Sequence, residues 1–300
     1  MGDRPFSIKI FLPHGQPDGL RIVDKSNWTG RGIVFPRSLF PDIKKRDEFQ
    51  ETGVYVLVGP SEDGELPKIY IGEGDPVKSR LEQHFSKKDF WTWGVFFVSK
   101  DRSLNKAHVQ HLEAQLVRIA REAKRSFFDN LNEPQKPSLS EAEIADVESF
   151  LEDMLSIFPL LGLSAFQKVG LSKVKKQQLL TIESKGIKVT GYESPEGFIV
   201  KEGAQAVKAE VPSIHHYMSV LRRELMETGV LVESGDALVF TQDYFFNSPS
   251  TAAGVVLGRT ANGRIEWKNS KGETLKHIQE NTSHGGESAL KGAHGDCESE

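Results

Sequence analysis

Gly53-Val54-Tyr55-Val56-Leu57-Val58, the polar stretch at residues 61–67, and Lys68-Ile69-Tyr70-Ile71-Gly72 decide the fold. The first run reads as a buried strand from its β-branched content. The second pairs back on it across the polar turn, which makes a hairpin. Working outward, Pro76 opens a helix in which Val77, Leu81 and Phe85 form an i, i+4 apolar stripe. Residues 92–99 (TWGVFFVS) supply a third strand. Residues 104–124 supply a long helix with Leu104, His108, Leu112, Leu116, Ile119 and Ala123 along one side. The order β-β-α-β-α suits one small antiparallel sheet flanked by helices, and hence the α+β class.

On the N-terminal side, residues 6–12 alternate as a strand, residues 13–19 (PHGQPDG) are turn chemistry, and residues 20–23 and 32–35 read as further short strands. This gives an N-terminal β segment at 1–50 and a module at 51–135. Beyond Pro137, Ser140 and Glu143 form a capping box ahead of Ile144, Val147, Leu151, Met154 and Phe158, an amphipathic helix. That helix and the basic run Lys173-Val174-Lys175-Lys176 make residues 138–182 a helical connector. A second α+β domain is expected at 183–280, starting near Gly186. It holds a hairpin around residues 194–197, a helix at 213–228, a strand at 237–241 and a helix opened by Ser248-Pro249. There Asn262-Gly263 is expected to turn into a strand at 264–268. Residues 281–300, rich in Gly, Ser, His and acid, read as a disordered tail.

Composition narrows the function classes. With 38% hydrophobic and 27% charged residues and a mean hydropathy of -0.39, the chain reads as globular. The longest nearly apolar run, residues 157–166, is far short of the ~20 residues of a membrane helix. No secretory or myristoylation signal is seen at the start, so a cytoplasmic protein without membrane contact is expected. A single cysteine, Cys297, argues against disulfide frameworks and zinc ribbons. The net charge of -4 hides two blocks. Residues 78–125 carry eleven Lys/Arg against five Asp/Glu, a balance of +6, and residues 129–155 carry eight acids against one lysine.

Several familiar sites are missing. Val77 stands where a dinucleotide fingerprint needs its third glycine, and there is no Walker A loop, G-x-S-x-G elbow or H-E-x-x-H. His108 and His111 share a helix but have no matching ligands elsewhere, so they read as helix-face histidines. What remains is two phenols on neighbouring strands (Tyr55 and Tyr70, each two positions from Gly53 or Gly72), Arg80 and His84 one helical turn apart, Glu113 in the middle of a long helix, and an asparagine at Asn130 or Asn132. A phenol, a guanidinium, an imidazole and one carboxylate suit phosphodiester hydrolysis. That reaction needs a deprotonated water, a held phosphate and a hard cation for the developing charge.

These residues, in this order and spacing, resemble the GIY-YIG nuclease family, with Val54 in place of the central isoleucine and Arg80 ten residues after Tyr70. The resemblance spans residues 53–132. It implies a metal-dependent DNA endonuclease in which Glu113 binds one Mg²⁺ (or another divalent cation such as Mn²⁺) and Arg80 clamps the scissile phosphate. Tyr55, with Tyr70 beside it, would position or deprotonate the attacking water, Lys68 is a possible helper, and His84 would act as proton relay or phosphate contact. The +6 block would then track a DNA backbone. The alternative is a catalytically weak DNA-binding or modified-DNA-recognition protein on the same fold. Residues 246–268 look like a domain of unknown function found after such modules in bacterial proteins, and more loosely like the RAMA type of domain.

Overall fold

The computed structural model describes residues 5–60, 65–130, 134, 137–167, 178–184, 186–194 and 197–281. Residues 61–64 of the first turn, Asn132, the run Lys173-Val174-Lys175-Lys176 and the tail from 282 lie outside them. The chain divides into two units, Met1–Lys168 and Val169–Glu300. The α+β class is as expected from the sequence. Among the described residues, no helix is long and apolar enough to cross a membrane.

The first unit is built on β1 (Ile8–Phe11), β2 (Arg21–Lys25), β3 (Gly30–Pro36), α1 (Phe40–Ile43), β4 (Gly53–Gly59), β5 (Lys68–Gly74), α2 (Val77–Lys87), β6 (Trp93–Ser99), α3 (Lys106–Ala123), β7 (Phe127–Phe128) and α4 (Glu141–Ile157). Seven strands form one sheet in the order β1-β2-β3-β6-β4-β5-β7, antiparallel except for the short parallel pairing of β7 with β5. The expected hairpin is β4–β5, in register from Gly53↔Gly74 to Gly59↔Lys68. The strands of the first fifty residues join this sheet directly, because β3 pairs with β6 from Gly30↔Ser99 to Pro36↔Trp93.

Every residue of β4 is buried, because the strand is central and both its faces are covered. Tyr55 and Leu57 pack with Phe35, Phe49, Trp91 and Phe96 toward α1 and α2. Val54, Val56 and Val58 face the other way, with Leu112 and Leu116 of α3 and Val147, Leu151 and Met154 of α4. The helix expected in the connector thus completes the core of the first unit. Its capping box is present, with Ser140 accepting from Glu143 N, and its acidic side is left to solvent.

The second unit holds β8 (Leu180–Ser184), β9 (Ile187–Ser194), β10 (Gly197–Val200), β11 (Gln205–Val207), α5 (His216–Glu227), β12 (Leu231–Ser234), β13 (Ala237–Phe240), β14 (Tyr244–Phe246), α6 (Pro249–Leu257) and α7 (Gly263–Glu266). Two sheets, β14-β10-β9-β8 and β11-β13-β12, flank α6, which is buried from Ala252 to Leu257. Trp267 lies 4.4 Å from the Phe198 ring, and its indole N–H donates to Pro249 O at 3.0 Å. The strand expected at 264–268 is corrected to helix α7. Asn262 Oδ1 accepts from Arg264 N at 3.1 Å and so starts a helix instead of a hairpin. A Cβ at Gly263 would stand 2.2 Å from Pro249 C, so glycine there serves close packing of two backbones. Only Lys268 of that stretch joins β-bridges, to Thr181 and to Thr274.

Candidate active site

Helix α2 runs antiparallel to β5, and the line of polar side chains where the two meet makes up the trough of the candidate site. Alternate residues of β5, from Gly74 back through Gly72, Tyr70 and Lys68, meet Arg80, His84 and then Lys88 at the end of α2. The Arg80 chain lies over Gly74, where a Cβ would come within 3.2 Å of its Cγ. Gly72 gives up its side-chain volume to Tyr55 of the neighbouring strand, since a Cβ there would stand 2.3 Å from the Tyr55 hydroxyl. Gly53 is equally constrained, 2.5 Å from Phe97 O by the same measure. The two glycines expected to support the tyrosines therefore do so by letting side chains and backbone close in.

Tyr55 is 1% exposed, and its hydroxyl lies 2.7 Å from Nε2 of His84, itself 7% exposed. The Tyr55 and Tyr70 rings stack at 6.2 Å, and Tyr70 lies 4.5 Å from the imidazole. Burial, and next the neighbouring Tyr70, push the Tyr55 phenol well above its ordinary pKa, although Arg80 pulls the other way. Burial, with Arg80 and Lys88 nearby, holds His84 down to about 4. At neutral pH the pair is therefore a neutral phenol against a neutral imidazole. Arg80 has only donors and offers one to the Tyr55 oxygen, while the direction of the Tyr55–His84 bond is set by the imidazole tautomer.

Glu113 comes from α3, on the other face of the sheet, and is near enough to Tyr55, Tyr70 and Arg80 for their charges to couple. Burial and then Glu73 raise its carboxyl to about 7, against the lowering pull of Arg80 and Lys106. Glu73 was not foreseen as a member of the site. It follows Tyr70-Ile71-Gly72 directly, and alternation puts it on the α3 face, where Lys106 Nζ binds both its oxygens at 2.6 Å. The carboxylate alternation after Gly72 was the available signal.

The supporting residues take other places. Asn130 grips the backbone of Ile71 with both ends of its amide, accepting from N at 2.9 Å and donating to O at 2.7 Å. It thus continues the β7 ladder along β5 and fixes the strand beside Tyr70. Asn132 lies outside the described residues. Lys68 binds Asp129 at 2.9 Å. His108 closes a capping box with Asn105, and His111 binds Glu148 Oε1 at 2.7 Å, so each has a structural partner. Among the described residues no three His, Cys, Asp or Glu side chains gather around one point.

One consequence is testable on stability alone. Gly72→Ala is expected to force Tyr55 off His84 and to destabilise the protein by about 1–3 kcal/mol, the usual cost of overpacking a filled core. An unchanged thermal midpoint would mean that the Tyr55 hydroxyl does not need this space.

A comparison with family models matches residues 180–279 to a domain of unknown function, DUF4357, which is one third of the chain and lies wholly in the second unit. No curated protein and no solved structure matches.

Proposed function

We propose that the trough between β5 and α2 is the active site of a divalent-cation-dependent DNA endonuclease. The observation that carries the reading is the convergence, around one strand edge, of the Tyr55–His84 pair, the exposed Arg80 and the half-buried Glu113.

The residues fit a hard cation. No hydrogen bond or ion pair holds the Glu113 carboxylate among the described residues, and burial beside Glu73 disfavours its charge more than Arg80 and Lys106 favour it, so a bound cation would find it undercompensated. Mg²⁺ suits a single carboxylate supplemented by water and phosphate oxygens. Bound there, it would neutralise charge on the scissile phosphate and acidify a coordinated water. Arg80 offers a planar fork of donors to the non-bridging oxygens. Tyr55 orients the attacking water, takes its proton on the phenolic oxygen and passes its own to His84 Nε2. Burial holds His84 near 4 first and Arg80 and Lys88 second; a phosphodiester anion beside those two cations offsets their share, so substrate makes the imidazole a better base. A sugar oxygen leaves as the phosphorus–oxygen bond to water forms, and the proton held on the imidazolium goes back through Tyr55 to that leaving oxygen.

Purified protein with supercoiled plasmid is expected to nick or linearise it in Mg²⁺ and to be inert in EDTA. Plasmid that is bound but uncut in Mg²⁺ and in Mn²⁺ would instead establish a DNA-recognition module.

A further inference from the structure

The far end of the trough holds a cluster whose charges bear on His84 but which has no phosphate contact in the chemistry above. Asp129 accepts from Lys68 at 2.9 Å and from Lys88. One carboxylate between two ammonium groups leaves a local charge of +1. Lys88 lies 4.5 Å over the Tyr70 ring and Lys68 lies 5.1 Å over the Phe90 ring, so both heads are steered by aromatic faces. Their side chains remain 24% and 36% exposed, within reach of a ligand. The end of α2 is fixed from behind, where Arg37 donates to Phe85 O at 2.9 Å and to Lys88 O. Half-exposed ion pairs contribute little to stability, and one lysine would already balance Asp129. The second lysine is surplus to the fold.

Position gives it a use. Arg80, His84 and Lys88 are spaced by four residues on one side of α2, so the first and last are ~12 Å apart along the helix. A duplex strand carries one phosphate for every ~3.4 Å of axis. A strand whose scissile phosphate sits at Arg80 and which lies along the trough therefore brings another phosphate to the lysine pair.

We propose that Lys68 and Lys88 form a second phosphate subsite, which takes a non-scissile phosphodiester of the cleaved strand while Asp129 holds the two ammonium groups in place until that anion arrives. The proposal rests on the nuclease reading above. Asp129 competes with the phosphate for the same donors, so the subsite predicts opposite effects from removing the lysines and from removing the acid.

The test uses the full chain as wild type, as Lys68→Gln/Lys88→Gln and as Asp129→Asn. DNA binding is followed by the anisotropy of a labelled short duplex in EDTA across a salt series, and plasmid cleavage by single turnover in Mg²⁺ at saturating protein. The double variant is expected to bind about tenfold more weakly, with a log K against log salt slope shallower by about 0.9, the value for one lost phosphate contact. Asp129→Asn should bind more tightly than wild type. A merely structural cluster would weaken both variants alike and lower their thermal midpoints together, which overturns the subsite. Unchanged affinity and slope in the double variant, with cleavage intact in wild type, overturn the subsite and leave the nuclease reading standing. A wild-type protein that neither binds nor cuts DNA overturns both.

Discussion

Glu113→Gln is expected to abolish plasmid cleavage in Mg²⁺ while stabilising the protein in EDTA at alkaline pH. The two effects have one cause. In the metal-free fold, burial and Glu73 raise the Glu113 carboxyl to about 7, well above its ordinary 4.5. Between those two pH values the folded state keeps a proton that the unfolded chain has released. Stability from this group is therefore present below about 4.5, is lost as pH rises, and its deficit is complete above about 7. Glutamine has the same shape and no charge, so the variant should match wild type near pH 4 and exceed it at pH 8 by on the order of 1–3 kcal/mol. Adding Mg²⁺ should raise the thermal midpoint of wild type at pH 8 and leave that of the variant unmoved. Binding of DNA in EDTA should change little, because the contacts there come from the basic residues. Cleavage by the variant at the wild-type rate would remove Glu113 from the chemistry. A midpoint difference that does not grow with pH would show that the carboxyl is not held protonated by its surroundings.

The hairpin, the two flanking helices and the third strand were legible because each carries a local signal. Gly53 to Val58 is β-branched, Val77, Leu81 and Phe85 are spaced for a helix, and Pro76 marks where that helix starts. The wider sheet was less legible. The pairing of β3 with β6 joins residues about sixty positions apart, and no periodicity within either strand names its neighbour. The site divided in the same way. Tyr55, Tyr70, Arg80 and His84 were readable as a set, and three of them do meet closely. Glu73 carried a signal in the alternation after Gly72, but its bond to Lys106 was not readable, because it depends on how α3 crosses the end of β5. The Asn262-Gly263 pair was misread for an instructive reason. The same side chain that initiates a tight turn also caps a helix, and the choice was made by the close approach of Gly263 to Pro249, far away in local sequence terms.

Arg80→Lys is expected to lower the single-turnover cleavage rate by about 10²–10³, comparable to removing one preorganised donor from a transition state. The charge is kept, so the argument lies in geometry. Arg80 is exposed toward the trough, its backbone sits on the rigid first half of α2, and one arm of its fork is already fixed by Gln83 Oε1 at 3.1 Å. The remaining donors are thus aimed before substrate arrives. An ammonium group on a flexible stem forms single bonds in no fixed direction and must be ordered at each turnover. It also weakens the donor that Arg80 offers the Tyr55 oxygen, and with it the setting of the Tyr55–His84 pair. Affinity for DNA in EDTA should fall only slightly, since one positive charge is conserved. That split between rate and affinity separates a phosphate clamp from a solvated surface arginine, for which lysine would serve equally in both measurements. A rate within twofold of wild type would leave the developing charge on phosphorus without its side-chain clamp, and His84, acting with Tyr55 of β4, would then be the α2 side chain left to act on the reacting atoms.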